Sequence, residues 1–468
     1  MSGKSDKRPF GMRDKLGYMF GDFGNDFTFI FASSFLMVFY TNVLGIDPKM
    51  VGILFVVARV VDAFTDIGMG RIVDRLPAAG DGKFRPWIKR ICIPVAFVSF
   101  LMYQSALAPA SMTVKIIYMF ITYILWGSLL YTAINIPYGS MASAITDNPR
   151  QRAELSTFRS MGATFASVVI MVVAPMVVYY TDADGNQIVS GRNFTIIAGV
   201  FAVLAVICYV LCYQMTTERV EIKKKDGGKM PGMGETVKAL VSNRALLAII
   251  GAAIFLLLSS LLGQSMNNYL FAEWFKDTNA LSVLGFVGVP TSLLLAAFTG
   301  KISEHFGKKE AGAAGMLFTG IIFVLLFFFK VKNPWVFVAV TFIANFGMYY
   351  FNMVVWAYIT DVIDYQEVKT GSREDGTVYG VYSFARKIGQ ALAGGVSGFA
   401  LSAIGYVSEP GAVQTDAVRA GIYNIATIFP GVCYIIVGLI LIFAYPLSKG
   451  VVEKNGEILA ERRKEEIS

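Results

Sequence analysis

Long apolar runs of about twenty residues, separated by short polar stretches, dominate this chain. A helix needs about 20 mostly apolar residues to cross the hydrocarbon core of a bilayer. On that rule the pattern predicts spans near 17–41, 48–70, 87–108, 115–144, 157–180 and 193–215. Six more follow near 244–272, 280–300, 311–330, 335–360, 376–404 and 420–447. Lipid offers no partner for backbone N–H and C=O groups, so runs of this length are read as helices. The expected fold class is an all-α membrane protein of twelve transmembrane helices.

The longest polar stretch, 216–243, carries Lys223, Lys224 and Lys225 ahead of Gly227, Gly228 and Pro231. Such a charged, Gly-containing segment reads as a linker. The expected organisation is an N-terminal six-helix bundle over 1–215, a cytoplasmic linker over 216–243, a C-terminal six-helix bundle over 244–447 and a cytoplasmic tail over 448–468. The halves share a short pattern after their second span. Gly70 precedes Asp74 and a basic stretch, and Gly300 precedes Glu304, Gly307, Lys308 and Lys309. Duplicated halves are a mark of transporters with a substrate site midway through the membrane.

Composition supports the membrane reading. Charged residues make up 16% of the chain, against about 25% in soluble domains. The net charge of +8 would suit nucleic acid if it were clustered on one face, but the basic residues sit in loops. Arg71, Arg75, Lys83, Arg85, Lys89 and Arg90, then Arg150 and Arg152, then Lys301, Lys308 and Lys309 alternate with loops poor in Lys and Arg, Lys330 and Lys332 being the one local exception. That alternation places both termini in the cytoplasm and argues against nucleic-acid binding. Cys92, Cys208, Cys212 and Cys433 lie inside apolar runs without metal-ligand spacing, so they read as packing residues. The polar, basic stretch from Met1 to Lys15 reads as a cytoplasmic tail without a signal-peptide core.

Ionisable residues inside spans are costly and mark substrate or ion paths. The first span holds Asp22 and Asp26, four apart and on one helix face; the second holds Arg59, Asp62 and Asp66 in the same relation. Two carboxylates one turn apart repel, so one takes a proton or a cation sits between them. Thr65 could add a hydroxyl to such a cation site; the alternative is that the pair serves only to bind Arg59 and other cations. Asp26 and Arg159 have complementary chemistry for sugar hydroxyls, an acceptor and a forked donor, or form an interhelical salt bridge. Asn135 beside Pro137 can donate and accept, for substrate or for packing. Lys387, well inside the eleventh span, needs a carboxylate or an anionic ligand. Asp74 with Arg75, and Asp361 and Asp364 with Arg373, are read as gate salt bridges at span ends. Tyr138 and neighbouring aromatics are read mostly as packing, one or two of them available to stack on a sugar ring. No nucleophile–base arrangement appears, so an enzyme is not expected.

Several runs resemble the glycoside–pentoside–hexuronide:cation symporter family. They are Gly21-Asp22-Phe23-Gly24-Asn25-Asp26-Phe27, Ala58-Arg59-Val60-Val61-Asp62-Ala63-Phe64-Thr65-Asp66 and Gly82-Lys83-Phe84-Arg85-Pro86-Trp87. Tyr131-Thr132-Ala133-Ile134-Asn135-Ile136-Pro137-Tyr138-Gly139-Ser140, Asp361-Val362-Ile363-Asp364-Tyr365 and Tyr382-Ser383-Phe384-Ala385-Arg386-Lys387-Ile388-Gly389-Gln390 continue the likeness in order. The resemblance implies the major-facilitator fold working by alternating access. It implies Asp62, Asp66 and Thr132 as cation ligands, Asp26 and Arg159 as sugar-binding residues, and Lys387 as a coupling residue. Two positions depart from the family's melibiose carriers. Asn135 replaces a second sugar-binding aspartate, which favours an anionic substrate, and Thr65 replaces an asparagine, which leaves H+ beside Na+ as the coupling ion. The runs around Asn135 and Lys387 look closer to the glucuronide carriers.

The sequence therefore predicts a monomeric symporter of the bacterial cytoplasmic (inner) membrane, importing a glucuronide or hexuronide with H+ or Na+. Cofactors and metals are not expected. Pentosides (xylosides) and neutral galactosides are the alternative substrates. An exporter of an amphipathic solute or lysolipid, and a non-transporting sensor, are the other readings.

Overall fold

A computed structural model describes residues 8–75, 80–146, 148–220, 243–371, 375–409 and 411–465, and it is built almost wholly from helices. Two compact units emerge: Met1–Lys225 with Leu401–Gln414, and Asp226–Ala400 with Thr415–Ser468. In the first unit, α1 (Met12–Val38) ends in a π turn, followed by α2 (Pro48–Arg75) and α3 (Arg85–Leu101). Helix α4 (Met112–Ile124) passes through a π turn at Leu125–Tyr131 into α5 (Thr132–Ile145). Then come α6 (Pro149–Val178), the antiparallel hairpin of β1 (Tyr179–Thr181) and β2 (Gln187–Val189), and α7 (Gly191–Met215). The second unit holds α8 (Arg244–Tyr269), α9 (Thr278–Phe306), α10 (Lys308–Phe329), α11 (Pro334–Thr370), α12 (Asp375–Ala403), α13 (Asp416–Leu439) and α14 (Lys449–Glu465).

Helix starts follow side-chain capping chemistry. Asn243, Asp277, Asn333 and Thr415 accept backbone N–H bonds at the starts of α8, α9, α11 and α13. Pro334 opens α11, where a missing N–H costs nothing.

Among the described residues, eight helices are long and apolar enough to cross a membrane, against the twelve spans expected. Helix α2 drops out for a chemical reason. Every window across its middle contains Arg59 and Asp62, with Lys49 or Asp66 besides. The residues that lower its hydropathy are the ionisable ones singled out in the sequence as a candidate cation site.

In the first unit α1 packs between α6 and α7. Two glycines set how closely. A Cβ on Gly21 would overlap the Tyr138 ring, and a Cβ on Gly162 would strike the backbone carbonyl of Met19. The contact at Gly162 brings α1 and α6 together one turn from Asp22 and Arg159. Gly162→Ala is expected to destabilise the fold by about 1–3 kcal/mol, because the clash is with backbone and cannot relax by a rotamer change. Thermal unfolding in detergent checks this; an unchanged midpoint would show that the two helices separate freely.

The two ends of the first unit's chain are tied by charge. Asp14, fully buried, pairs with Arg8 and Arg219, each at 2.9 Å, and accepts the N–H groups of Gly11 and Thr217. Glu218 accepts the N–H groups of Lys83, Phe84 and Arg85 at 2.7, 2.9 and 2.8 Å, capping α3. Nearby, the Tyr213 hydroxyl donates to Asp81 at 2.7 Å. That bond, with Lys89 and Arg85 in support, holds the Asp81 carboxyl below the usual carboxylate range.

The second unit's core gathers Leu246, Ile249, Phe351, Tyr358, Val437 and Leu441 from α8, α11, α13 and the π turn that ends α13. Helix α14 lies against α11, where Arg462 donates to the carbonyls of Glu367 and Val368. Cations at a helix C-terminus satisfy its last carbonyls.

Candidate functional site

The first cluster of ionisable side chains joins α1, α5 and α6. Asp22 and Asp26 share the inward face of α1, and Arg159 faces them from α6. Arg159 Nε donates to Asp22 Oδ1 at 2.9 Å, with the arginine side chain 40% exposed and the aspartate 10%. The guanidinium lies over the Tyr138 ring, 5.4 Å from its centroid. Tyr138 stacks on Tyr18 at 4.7 Å and donates its hydroxyl to the Tyr18 carbonyl at 2.7 Å. Tyr138 is thus buried, backing Arg159 with its ring while its hydroxyl is committed to α1. Asn135, one turn before Tyr138, accepts from Asn25 Nδ2 at 3.4 Å, and Asn25 accepts from the Tyr209 hydroxyl at 2.8 Å.

The sequence set Arg159 beside Asp26, but the observed partner is Asp22. Asp26, half-buried one turn further along α1, makes no hydrogen bond or ion pair among the described residues. Asp22 meets the guanidinium through Nε, and Asp26 is left as an open acceptor carboxylate among the described residues. Together they offer donors and acceptors to a polyol.

The second cluster joins α2 to the π turn. Arg59 pairs with Asp62 Oδ2 at 3.1 Å, and Ser128 Oγ donates to Asp62 Oδ1 at 2.5 Å. Thr132 Oγ1 donates to Asp66 Oδ1 at 3.1 Å. Thr65 is elsewhere engaged: its hydroxyl donates to the carbonyls of Val61 and Asp62, both 3.2 Å, along its own helix. Ser128 was not foreseen from the sequence. The widened turn at Leu125–Tyr131 breaks the 3.6-residue spacing and aims Ser128 and Thr132 at successive carboxylates of α2. The cluster gathers carboxylate and hydroxyl oxygens, the ligand type that a hard monovalent cation takes.

In the second unit, Asp361 of α11 pairs with Lys308 at 2.6 Å, and the Tyr358 hydroxyl donates to the Lys308 carbonyl. Lys308 follows Gly307, whose φ of +89° turns the chain from α9 into α10. The pair links two signals read separately in the sequence, the Gly307-Lys308 run and the Asp361 run. Asp364 lies half-buried on the same helix. Arg386 sits over the Trp356 ring at 5.6 Å. Arg373 and the side chains of Asp74, Arg75 and Lys387 lie outside the described residues.

Residues 17–449 match the family described as MFS/sugar transport protein. An uncharacterized symporter, YjmB, of Bacillus subtilis (strain 168) is 32% identical over 96% of this chain and 95% of its own. A glucuronide carrier protein homolog of Escherichia coli (strain K12) is 30% identical over 96% of this chain and 95% of its own. Among solved structures, a D-xylose-proton symporter superposes with a TM-score of 0.64 at 12% identity, covering 94% of this chain and 98% of that one. That likeness carries the fold alone. A helical, multi-span structure of major-facilitator type agrees with that match, and the chain belongs to the MFS/sugar transport protein family and is a membrane transporter, not an enzyme.

Proposed function

We propose that this protein is a cation-coupled symporter that imports a glycoside, with a glucuronide or related hexuronide as its substrate and H+ or Na+ as the coupling ion. One observation carries the coupling. Within the first unit, the helix running through the π turn into α5 touches both clusters, Thr132 meeting Asp66 and Asn135 meeting Asn25 beside Asp26. A cation at Asp62 and Asp66 would pull on Ser128 and Thr132, and any movement of that helix is felt three residues later at Asn135. Substrate and ion then bias the same element, the physical basis of coupling.

Arg159, Asp26 and Asn135 are the substrate-facing groups on this reading, with Tyr138 and Asp22 supporting the arginine. Asp62, Asp66, Thr132 and Ser128 hold the cation. Lys308 and Asp361 form a gate-type bridge that alternates between transport states. The transporter works in a bacterial inner membrane as a monomer, both termini cytoplasmic. Counterflow of labelled p-nitrophenyl glucuronide in proteoliposomes tests the substrate. Exchange is expected, and exchange of p-nitrophenyl xyloside without the glucuronide would move the assignment to pentosides.

The charge sum at the sugar cluster favours that second reading in one respect. Asn135 removes one carboxylate from the family's melibiose-type pattern, but Asp22 supplies another at Arg159. An anion entering there meets Asp22 and Asp26 against one arginine. Neutral pentosides or galactosides would not meet that opposition.

A further inference from the structure

The Asp22–Arg159 contact resolves the conflict between an arginine suited to anions and a net negative surround. Arg159 presents five N–H donors in a planar fork. Asp22 takes Nε at 2.9 Å, while the Tyr18 hydroxyl donates to the carbonyls of Tyr138 and Gly139 at 3.4 and 3.5 Å. The ring of Tyr138 backs one face of the guanidinium, and its side chain stays 40% exposed. The aspartate is the more buried partner, 10% exposed, and is anchored on α1 where Gly162 brings α6 against Met19. The geometry is that of a carboxylate seated on a carboxylate receptor.

Resting on the symporter reading above, we propose that Asp22 is a resident counter-ion of Arg159 that an anionic glycoside must displace, so that Asp22 sets the discrimination between anionic and neutral substrates. The exchange needs no bond-making chemistry. The substrate's carboxylate takes the guanidinium fork, and Asp22 is left facing the sugar hydroxyls as an acceptor, alongside Asp26. A neutral glycoside leaves the Asp22–Arg159 pair intact and uses Asp26, Asn135 and the free edge of the guanidinium.

The test uses the full-length protein in liposomes and a matched pair of probes, p-nitrophenyl glucuronide and p-nitrophenyl glucoside, which differ in one carboxylate. Affinities are measured for wild type, Asp22→Asn and Asp22→Glu. Freeing Arg159 from a charged partner is expected to raise the glucuronide-to-glucoside affinity ratio about tenfold in Asp22→Asn, while Asp22→Glu keeps a ratio close to wild type. Should Asp22→Asn fail to reconstitute, Asp22→Ser carries the same expectation. A ratio unmoved by loss of the charge, or moved equally by Asn and Glu, overturns the proposal and assigns Asp22 to packing alone. The two readings fail separately. A wild type that binds only the glucoside removes the hexuronide assignment, yet Asp22→Asn is still expected to admit the glucuronide.

Discussion

Asp62→Asn and Asp66→Asn are each expected to abolish uphill accumulation of glycoside while leaving downhill exchange measurable. One elementary charge moving through about 100 mV supplies about 2.3 kcal/mol, enough for about a fiftyfold accumulation. That gain requires the cation and the sugar to cross together. With Asp62 neutral, Arg59 loses its charged partner at 3.1 Å and Ser128 its carboxylate acceptor, so the site loses one negative charge. With Asp66 neutral, one negative charge is likewise lost and Thr132 meets an amide in place of a carboxylate. In either case a monovalent cation gains nothing by entering. The sugar cluster remains whole, so counterflow should persist while the accumulation ratio drops to about one. Accumulation equal to wild type in both variants would mean the two aspartates serve helix pairing alone, as their contact with Arg59 also permits.

The second large effect lies at Arg159. Arg159→Gln is expected to weaken glycoside binding by at least about a hundredfold, since it removes the fork proposed to hold the substrate and frees Asp22 beside Asp26. Removing one partner of this part-exposed pair also costs about 1–3 kcal/mol of stability, mainly through the more buried Asp22. The two losses can be separated. Adding Asp22→Asn removes the uncompensated carboxylate, so the double variant should recover most of its thermal stability but none of its binding. Recovery of binding in the double variant would show that Arg159 acts only as a helix clamp.

How far the sequence could be read differs between helix and site. While most of the expected linker, 221–242, lies outside the described residues, the helical, multi-span character and the paired carboxylates of α1 and α2 were legible, because apolar length and misplaced charge are one-dimensional signals. Pairing is not. Asp22 and Asp26 both lie on the face toward α6, and only the close approach at Gly162 decides that Arg159 meets the former. Ser128 carried no signal, since a serine in an apolar run is common and the π turn that aims it is invisible in a 3.6-residue pattern. Thr65, one turn from Asp62 by spacing, donates its hydroxyl proton to its own helix and keeps its oxygen lone pairs. Tyr138 was listed with the aromatics by composition, whereas its stacking on Tyr18 and its place beneath Arg159 depend on Gly21 leaving room for the ring.

Labelled p-nitrophenyl glucuronide, offered to proteoliposomes under an imposed pH gradient and then under an imposed Na+ gradient, puts the central claim to its most direct test. Accumulation above equilibrium under one of the two gradients, and none without a gradient, is the predicted result. It would establish cation-coupled transport and identify the ion together. Equal uptake with and without either gradient, or no uptake at all, would contradict a cation-coupled carrier of hexuronides.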